Sequence, residues 1–176
     1  MNADRWIGLV RHGFLAGLLV TSAWLGAACG PPNAKTALAK RPIDEGRAAK
    51  IIAESLQKEG LQAAAPKVIK LAGKNLTLDV TIEGKKFAVV YLSPNDQTEL
   101  GDSPITKKKQ LPGDPLRIET GTADDGMYHF VVLYATDYQY DDNEGHEHEA
   151  TVITAENKLD RDVRDFVMIA RREHFE

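Results

Sequence analysis

The sequence predicts an α+β domain: an antiparallel sheet of about five strands with an N-terminal and a C-terminal helix packed on it. Three observations carry this. Leu76–Leu92 alternates apolar and polar residues about a turn, as a half-buried hairpin does. Met127–Tyr140 is a long run of β-branched and aromatic residues. At either end of the domain, apolar residues recur at helical spacing.

The elements follow in order. Over Asp44–Glu59, Ala48, Ile51, Ile52, Ser55 and Leu56 share one face, with Lys50, Glu54, Gln57 and Lys58 largely opposite. Asp44 offers a capping oxygen, Gly60 suits a left-handed stop, and Pro66 bars a longer helix. Leu76, Leu78, Val80 and Ile82 then alternate with Thr77, Asp79 and Thr81. Glu83-Gly84 is expected as a two-residue turn, placing Val80 opposite Phe87, Leu78 opposite Val89 and Leu76 opposite Tyr91.

Ser93-Pro94 reads as the cap and first turn of a short helix that Gly101 ends. Asp102–Pro115 is expected as a loop and Leu116–Thr120 as a third strand, with Asp125-Gly126 as the next turn. The Met127–Tyr140 strand puts Tyr128, Phe130, Val132, Tyr134, Thr136, Tyr138 and Tyr140 on one face. Its first half is apolar on both faces, which is the mark of a central strand. Asp141–Gly145 turns the chain and His146–Ala155 returns as a fifth strand. Asn157 is expected to cap a final helix with Leu159, Val163, Phe166, Val167 and Ala170 inside.

The chain has 176 residues, 43% hydrophobic and 27% charged, with a formal net charge of -4. That is room for one domain with a real core, and it excludes wholesale disorder. The first 12 residues carry Arg5 and Arg11 against Asp4, and a charge-free apolar run spans Phe14–Ala28. This is the pattern of an export signal. A spanning helix needs roughly 20 apolar residues, and Pro31-Pro32 blocks continuation.

Leu25-Gly26-Ala27-Ala28-Cys29 resembles the lipobox of bacterial lipoproteins. The family usually has Leu where Gly26 stands; here Leu25 lies one place further out, which the broader form of the motif admits. The resemblance implies cleavage before Cys29, a diacylglycerol on its thiol and an acyl chain such as palmitate on its new amino group. Two acyl chains suffice for stable anchoring, at about 0.8 kcal/mol per buried CH₂. A lone exposed thiol would be a liability in an oxidising compartment, and as the chain's single cysteine Cys29 has no internal disulfide partner. Gly30 replaces the aspartate that retains many such lipoproteins at the inner membrane, so an outer-membrane destination stays open.

The expected organisation is therefore a signal peptide over residues 1–28, an acylated cysteine and flexible tether over 29–42, and a single α+β domain over 43–176. Cleavage removes Trp6 and Trp24 and leaves a net charge of -5, a poor match for nucleic acid.

Candidate sites are few. Seven of the nine residues in Asp141–Glu149 are Asp, Glu or His. The segment reads as a solvated hairpin tip that keeps a sheet edge soluble. Alternatively His146 and His148, two apart on one strand face, join Asp141 as ligands for a divalent metal such as zinc. Tyr138 and Tyr140, at the outer end of the tyrosine row, are candidates for ligand binding if accessible. Lys107-Lys108-Lys109, with Lys85 and Lys86, could meet phosphate headgroups, or simply form a solvated loop. His129 reads as a satisfied mid-strand imidazole. The nucleophile elbow, the phosphate-binding Gly loop and the His-Glu-x-x-His zinc motif are all absent from the sequence.

The reading is a lipid-anchored cell-envelope lipoprotein facing the periplasm or cell exterior. It is expected to be a non-catalytic binding or assembly-accessory domain needing no cofactor. Its partners would be the membrane, through the anchor, and an envelope protein. The alternative is a metal-binding protein or metal-dependent envelope enzyme centred on His146 and His148.

Overall fold

The N-terminal helix forms where its pattern demands, and it begins a seven-stranded mixed sheet domain. The computed structural model describes residues 38–107, 115–142 and 150–175, all within one unit, Ala37–Glu176. That unit contains every described helix and strand and both hydrophobic cores, so what stabilises the fold lies within it.

Strand β1 (Arg41–Pro42) leads into α1 (Glu45–Lys58), whose first turn is capped by the Asp44 carboxylate accepting from Arg47 N at 2.9 Å. Gly60 follows at φ 73°, the left-handed stop. Short β2 (Ala63–Ala64) and a tight hairpin of β3 (Lys67–Leu71) and β4 (Lys74–Leu78) come next. One residue, Asp79, separates β4 from β5 (Val80–Ile82), which turns into β6 (Phe87–Leu92). Helices α2 (Pro94–Leu100) and α3 (Pro104–Lys107) lead to the β7 (Ile118–Ala123) and β8 (Gly126–Tyr134) hairpin. A 3₁₀ turn (Ala135–Asp137), β9 (Gln139–Tyr140) and the long α4 (Val152–Arg172) complete the chain.

The strand order is β2-β5-β6-β8-β7-β3-β4, with β1 and β9 paired separately. Because β4 and β5 are joined by a single residue yet end up far apart in this order, the sheet has to curl, and β4 comes to lie beside β6. Each face of the curl builds its own core. The outer face, with Val80, Phe87, Val89, Tyr91, Val131 and Leu133, packs beneath α1 and α4. The inner face, with Leu76, Leu78, Val90, Leu92, Phe130 and Val132, closes over Leu100 of α2 and Ile105 of α3. Helices α1 and α4 run side by side in the same direction. They are tied by Arg47–Glu156, by Ser55 Oγ donating to Asp160 at 2.7 Å, and by Arg171–Glu59 at 3.0 Å.

The α+β class agrees with expectation, and the placement of the two flanking helices agrees in part; several finer expectations need correction. The sheet is mixed rather than antiparallel, because β6 and β8 pair in parallel through the crossover that α2, α3 and β7 provide. It has seven strands rather than about five: the sequence pattern assigns nothing to Lys67–Leu71. The Leu76–Ile82 strand is two strands, and Val80 pairs with Val89 rather than with Phe87. That slip is two residues, so Val80 and Ile82 keep the face of Phe87, Val89 and Tyr91, whereas Leu76 and Leu78 pair with β3 rather than with Tyr91 and Val89. The long Met127–Tyr140 strand ends at Tyr134. The final helix starts at Val152, capped by Thr151 Oγ1, so residues 152–155 belong to it and not to a fifth strand.

Candidate functional site

The break between β4 and β5 creates the most chemically distinctive place among the described residues. Leu76 and Leu78 face the inner core, whereas Val80 and Ile82 face the outer one. All four have even numbers and would share a face in a continuous strand. Asp79 is where the chain switches faces. β5 pairs with β6 at Val80↔Val89 and Thr81↔Ala88. Beyond Val89 the Asp79 carboxylate takes over, with Oδ2 accepting from Tyr91 N at 2.6 Å.

Here β4 and β6 separate, and α2 closes the gap to leave a cleft of about 340 Å³. Its walls include Lys74, Thr77, Asp79, Val90, Asp96 and Glu99. Asp96 is already committed to holding α2: its Oδ2 accepts from Ser93 N at 2.9 Å and from Ser93 Oγ at 2.7 Å, which completes the capping box of that helix. Lys74 donates to the Leu100 carbonyl at the end of α2. Burial pushes the Asp79 carboxyl up to about 6, and the negative charges of Asp96 and Glu45 push the same way. A half-buried carboxyl so placed can hold a proton near neutrality, or take a cationic or hydrogen-bond-donating group. Among the cleft residues named, Thr77 has the one hydroxyl and none is a thiol or imidazole.

A second charged cluster closes the β7–β8 turn. Asp125 Oδ2 accepts from Lys67 Nζ at 2.7 Å, Lys86 Nζ at 2.6 Å and the Tyr128 hydroxyl at 3.0 Å. Both ammonium groups lie 4.9 Å from the Tyr128 ring centroid. The two lysines hold the Asp125 carboxyl well below the usual range, and Asp125 in turn holds both lysines above theirs. The group is internally satisfied and ties the start of β3 to the β5–β6 turn and to β8. Its lysines are firmly protonated, which suits a clamp and not a nucleophile.

The residues singled out in the sequence distribute as follows. Tyr138 and Tyr140 are buried, at 2% and 9% exposure, in the core beneath the helices and not in an accessible groove. The 3₁₀ turn before them reverses their facing relative to Tyr128 and Tyr134, which belong to the inner core. The Tyr138 hydroxyl donates to Asp162 Oδ2 at 2.9 Å, and Lys158 Nζ lies 4.4 Å from its ring centroid. Burial and the Asp162 charge push this phenol well above its usual range. Arg41 covers the Tyr140 ring at 5.1 Å. Asp141 is buried at 8% exposure, and its amide donates to the Ala150 carbonyl at 2.9 Å.

His146 and His148 lie outside the described residues, as do Cys29, Lys108 and Lys109. Lys85 is exposed, and Lys86 belongs to the Asp125 cluster. His129 is half-buried, its ring stacked on Phe175 with centroids 4.1 Å apart. Among the described residues, no group of three or more His, Cys, Asp or Glu is placed to hold a metal ion. Among the same residues, no helix is long and apolar enough to cross a membrane.

Asp79 escapes the sequence pattern because it occupies the polar position of an unbroken alternation. The available signal was its type: Asp is depleted in strands, and this one stands between Leu78 and Val80. None of the known protein families, curated proteins or solved structures matches the chain.

Proposed function

We propose that the chain is a lipid-anchored cell-envelope lipoprotein whose folded body acts by binding or by supporting an assembly, not by catalysis. The observation that carries the reading is Leu25-Gly26-Ala27-Ala28-Cys29 at the end of a short apolar leader. The thiol is the one side chain there that can become a thioether, and the small residues before it suit a peptidase that reads extended backbone.

The body fits such an arrangement. Its first paired residues are Arg41 and Pro42, so a short run of chain separates Cys29 from the fold. At roughly 3 Å per residue that run has the length to let the domain reach a few nanometres from the bilayer. The Asp79 cleft is the recognition point this reading favours, for a group that carries positive charge or donates hydrogen bonds. Its partner in the envelope would present such a group from a protein or a small amine.

The test is Cys29→Ala in the native host. The variant should carry no acyl group and keep its leader, migrating as the full-length chain. Unchanged membrane association at the mature size would overturn the reading.

A further inference from the structure

Helix α4 segregates its charges. Its outward stripe steps by three or four residues through Ile153, Asn157, Arg161, Arg164, Met168 and Arg171, flanked by exposed Thr154 and Arg172. None of these exposed residues is acidic. The acids of the helix, Glu156, Asp160, Asp162 and Asp165, are all half-buried on its flanks.

Three of those acids are engaged towards the body. Glu156 pairs with Arg47, Asp160 with Lys58 at 2.8 Å, and Asp162 with the Tyr138 hydroxyl at 2.9 Å. The arginines touch acids along the edge of the stripe, and Arg172 pairs at 3.0 Å with exposed Glu173 just past its end. Arg161 is 3.5 Å from Asp162, Arg164 is 3.3 Å from Asp160, and Arg171 is 3.0 Å from Glu59, while their side chains stay 61%, 47% and 52% exposed. Exposed ion pairs of this kind are worth little, so the guanidinium groups can exchange them for other anions.

Two large apolar side chains also stand in water on this stripe: Ile153 at 66% exposure and Met168 at 58%. A helix presenting arginines between apolar residues, over about 27 Å from Ile153 to Arg171 at 1.5 Å per residue, matches an anionic surface with an apolar layer beneath it. Guanidinium forks suit phosphate oxygens, and Ile153 and Met168 suit the headgroup–acyl boundary. A water-borne polyanion such as nucleic acid would leave the two apolar side chains unrewarded.

We propose that the outward stripe of α4 docks on the surface of an anionic phospholipid bilayer. The docking goes beyond the anchoring reading, because nothing in it depends on Cys29. It orients the body, with α4 against the lipid and the Asp79 cleft left to other partners.

The test is flotation of residues 37–176, the unit that carries both cores, with two kinds of vesicle. One is phosphatidylcholine alone and the other contains about 30 mol% phosphatidylglycerol, a composition on which each surface arginine should count. Partition onto the anionic vesicles should be at least about tenfold stronger, and should weaken steeply at about 0.5 M salt. Arg161→Ala/Arg164→Ala/Arg172→Ala should lose about tenfold or more of that partition while keeping its circular dichroism spectrum. Met168→Ala should weaken the residue of binding that survives high salt.

Equal partition onto both vesicles, none onto either, or undiminished binding by the triple variant would overturn the proposal. So would arginine-dependent capture by heparin or duplex DNA with no vesicle binding. Because the tested unit lacks Cys29, its failure is separate from any failure of lipidation, which the intact mass of the native protein reads independently.

Discussion

The Asp79 carboxylate accepts the backbone N–H of Tyr91 at 2.6 Å, in the place where a neighbouring strand would otherwise offer a carbonyl. One side chain thus completes the edge of β6 and marks the point where β4 leaves it. The arrangement has a cost, because the carboxyl is half-buried with Asp96 and Glu45 adding repulsion.

That cost sets a pH dependence. The carboxyl rises from 3.8 to about 6 on folding. A raised carboxyl contributes stability while protonated, and loses it as pH climbs from the unfolded to the folded value. The loss should be complete by about pH 7 and amount to about 3 kcal/mol. Asp79→Asn keeps an oxygen for Tyr91 and removes the charge. Thermal melts should show little difference from the parent at pH 4, and a clear gain for the variant at pH 7.5. Asp79→Ala, which leaves the Tyr91 amide without that acceptor, should instead destabilise by about 1–3 kcal/mol at pH 4.

Asp125 behaves in the opposite sense. Its carboxyl is held below the usual range by Lys67 and Lys86, so its contribution is present above the ordinary value of 3.8 and drains away as pH falls below it. Asp125→Asn should lower the urea midpoint at pH 7, and the gap should narrow in acid and in high salt. A midpoint unaffected at pH 7 would show that the cluster does not brace the turn.

Gly121 is fixed by its neighbours. A Cβ there would overlap Ile69 Cδ1 and come within 3.2 Å of the Lys70 carbonyl, where β7 crosses β3. Gly121→Ala should therefore cost about 1–3 kcal/mol. Adding Ile69→Val, which removes that Cδ1, should restore part of the loss. Strict additivity of the two substitutions in denaturant melts would refute the contact.

Tyr138 should behave as a core residue. Tyr138→Phe should cost about 1 kcal/mol through loss of the Asp162 hydrogen bond, and Tyr138→Ala about 3–5 kcal/mol. Denaturant midpoints measure both. A Tyr138→Ala variant as stable as the parent would return the ring to the set of ligand-facing groups.

What the sequence made legible was local. Helix α1 follows from Asp44, the apolar positions and Gly60, and α2 from Ser93-Pro94 and Gly101, because caps and period lie within a few residues of each other. Strand faces were legible within β5, within β6 and along β8, and there they survived the slip of Val80 from Phe87 to Val89. The switches of face at Asp79 and at Ala135–Asp137 were not legible. In both places the alternation continues by count while the backbone turns the side chains over, which moves Tyr138 and Tyr140 from a surface row into the core. Nor does local pattern say which strand lies beside which, so the parallel pairing of β6 with β8 could not be read. Thr151–Thr154 looked strand-like by residue type, but the Thr151 cap and the buried face from Ala155 onward carry it into α4. Of the candidate site, the acids of the cleft were visible only as scattered residues until the curl placed β4, β6 and α2 around them.

The central claim is attachment through Cys29, and intact mass spectrometry of the protein extracted from native membranes tests it most directly. The account predicts a chain that begins at Cys29 and carries a diacylglycerol on its sulfur, with an acyl group on its nitrogen where the host adds one. A chain that retains Met1–Ala28, or one that begins at Cys29 with an unmodified thiol, would contradict it.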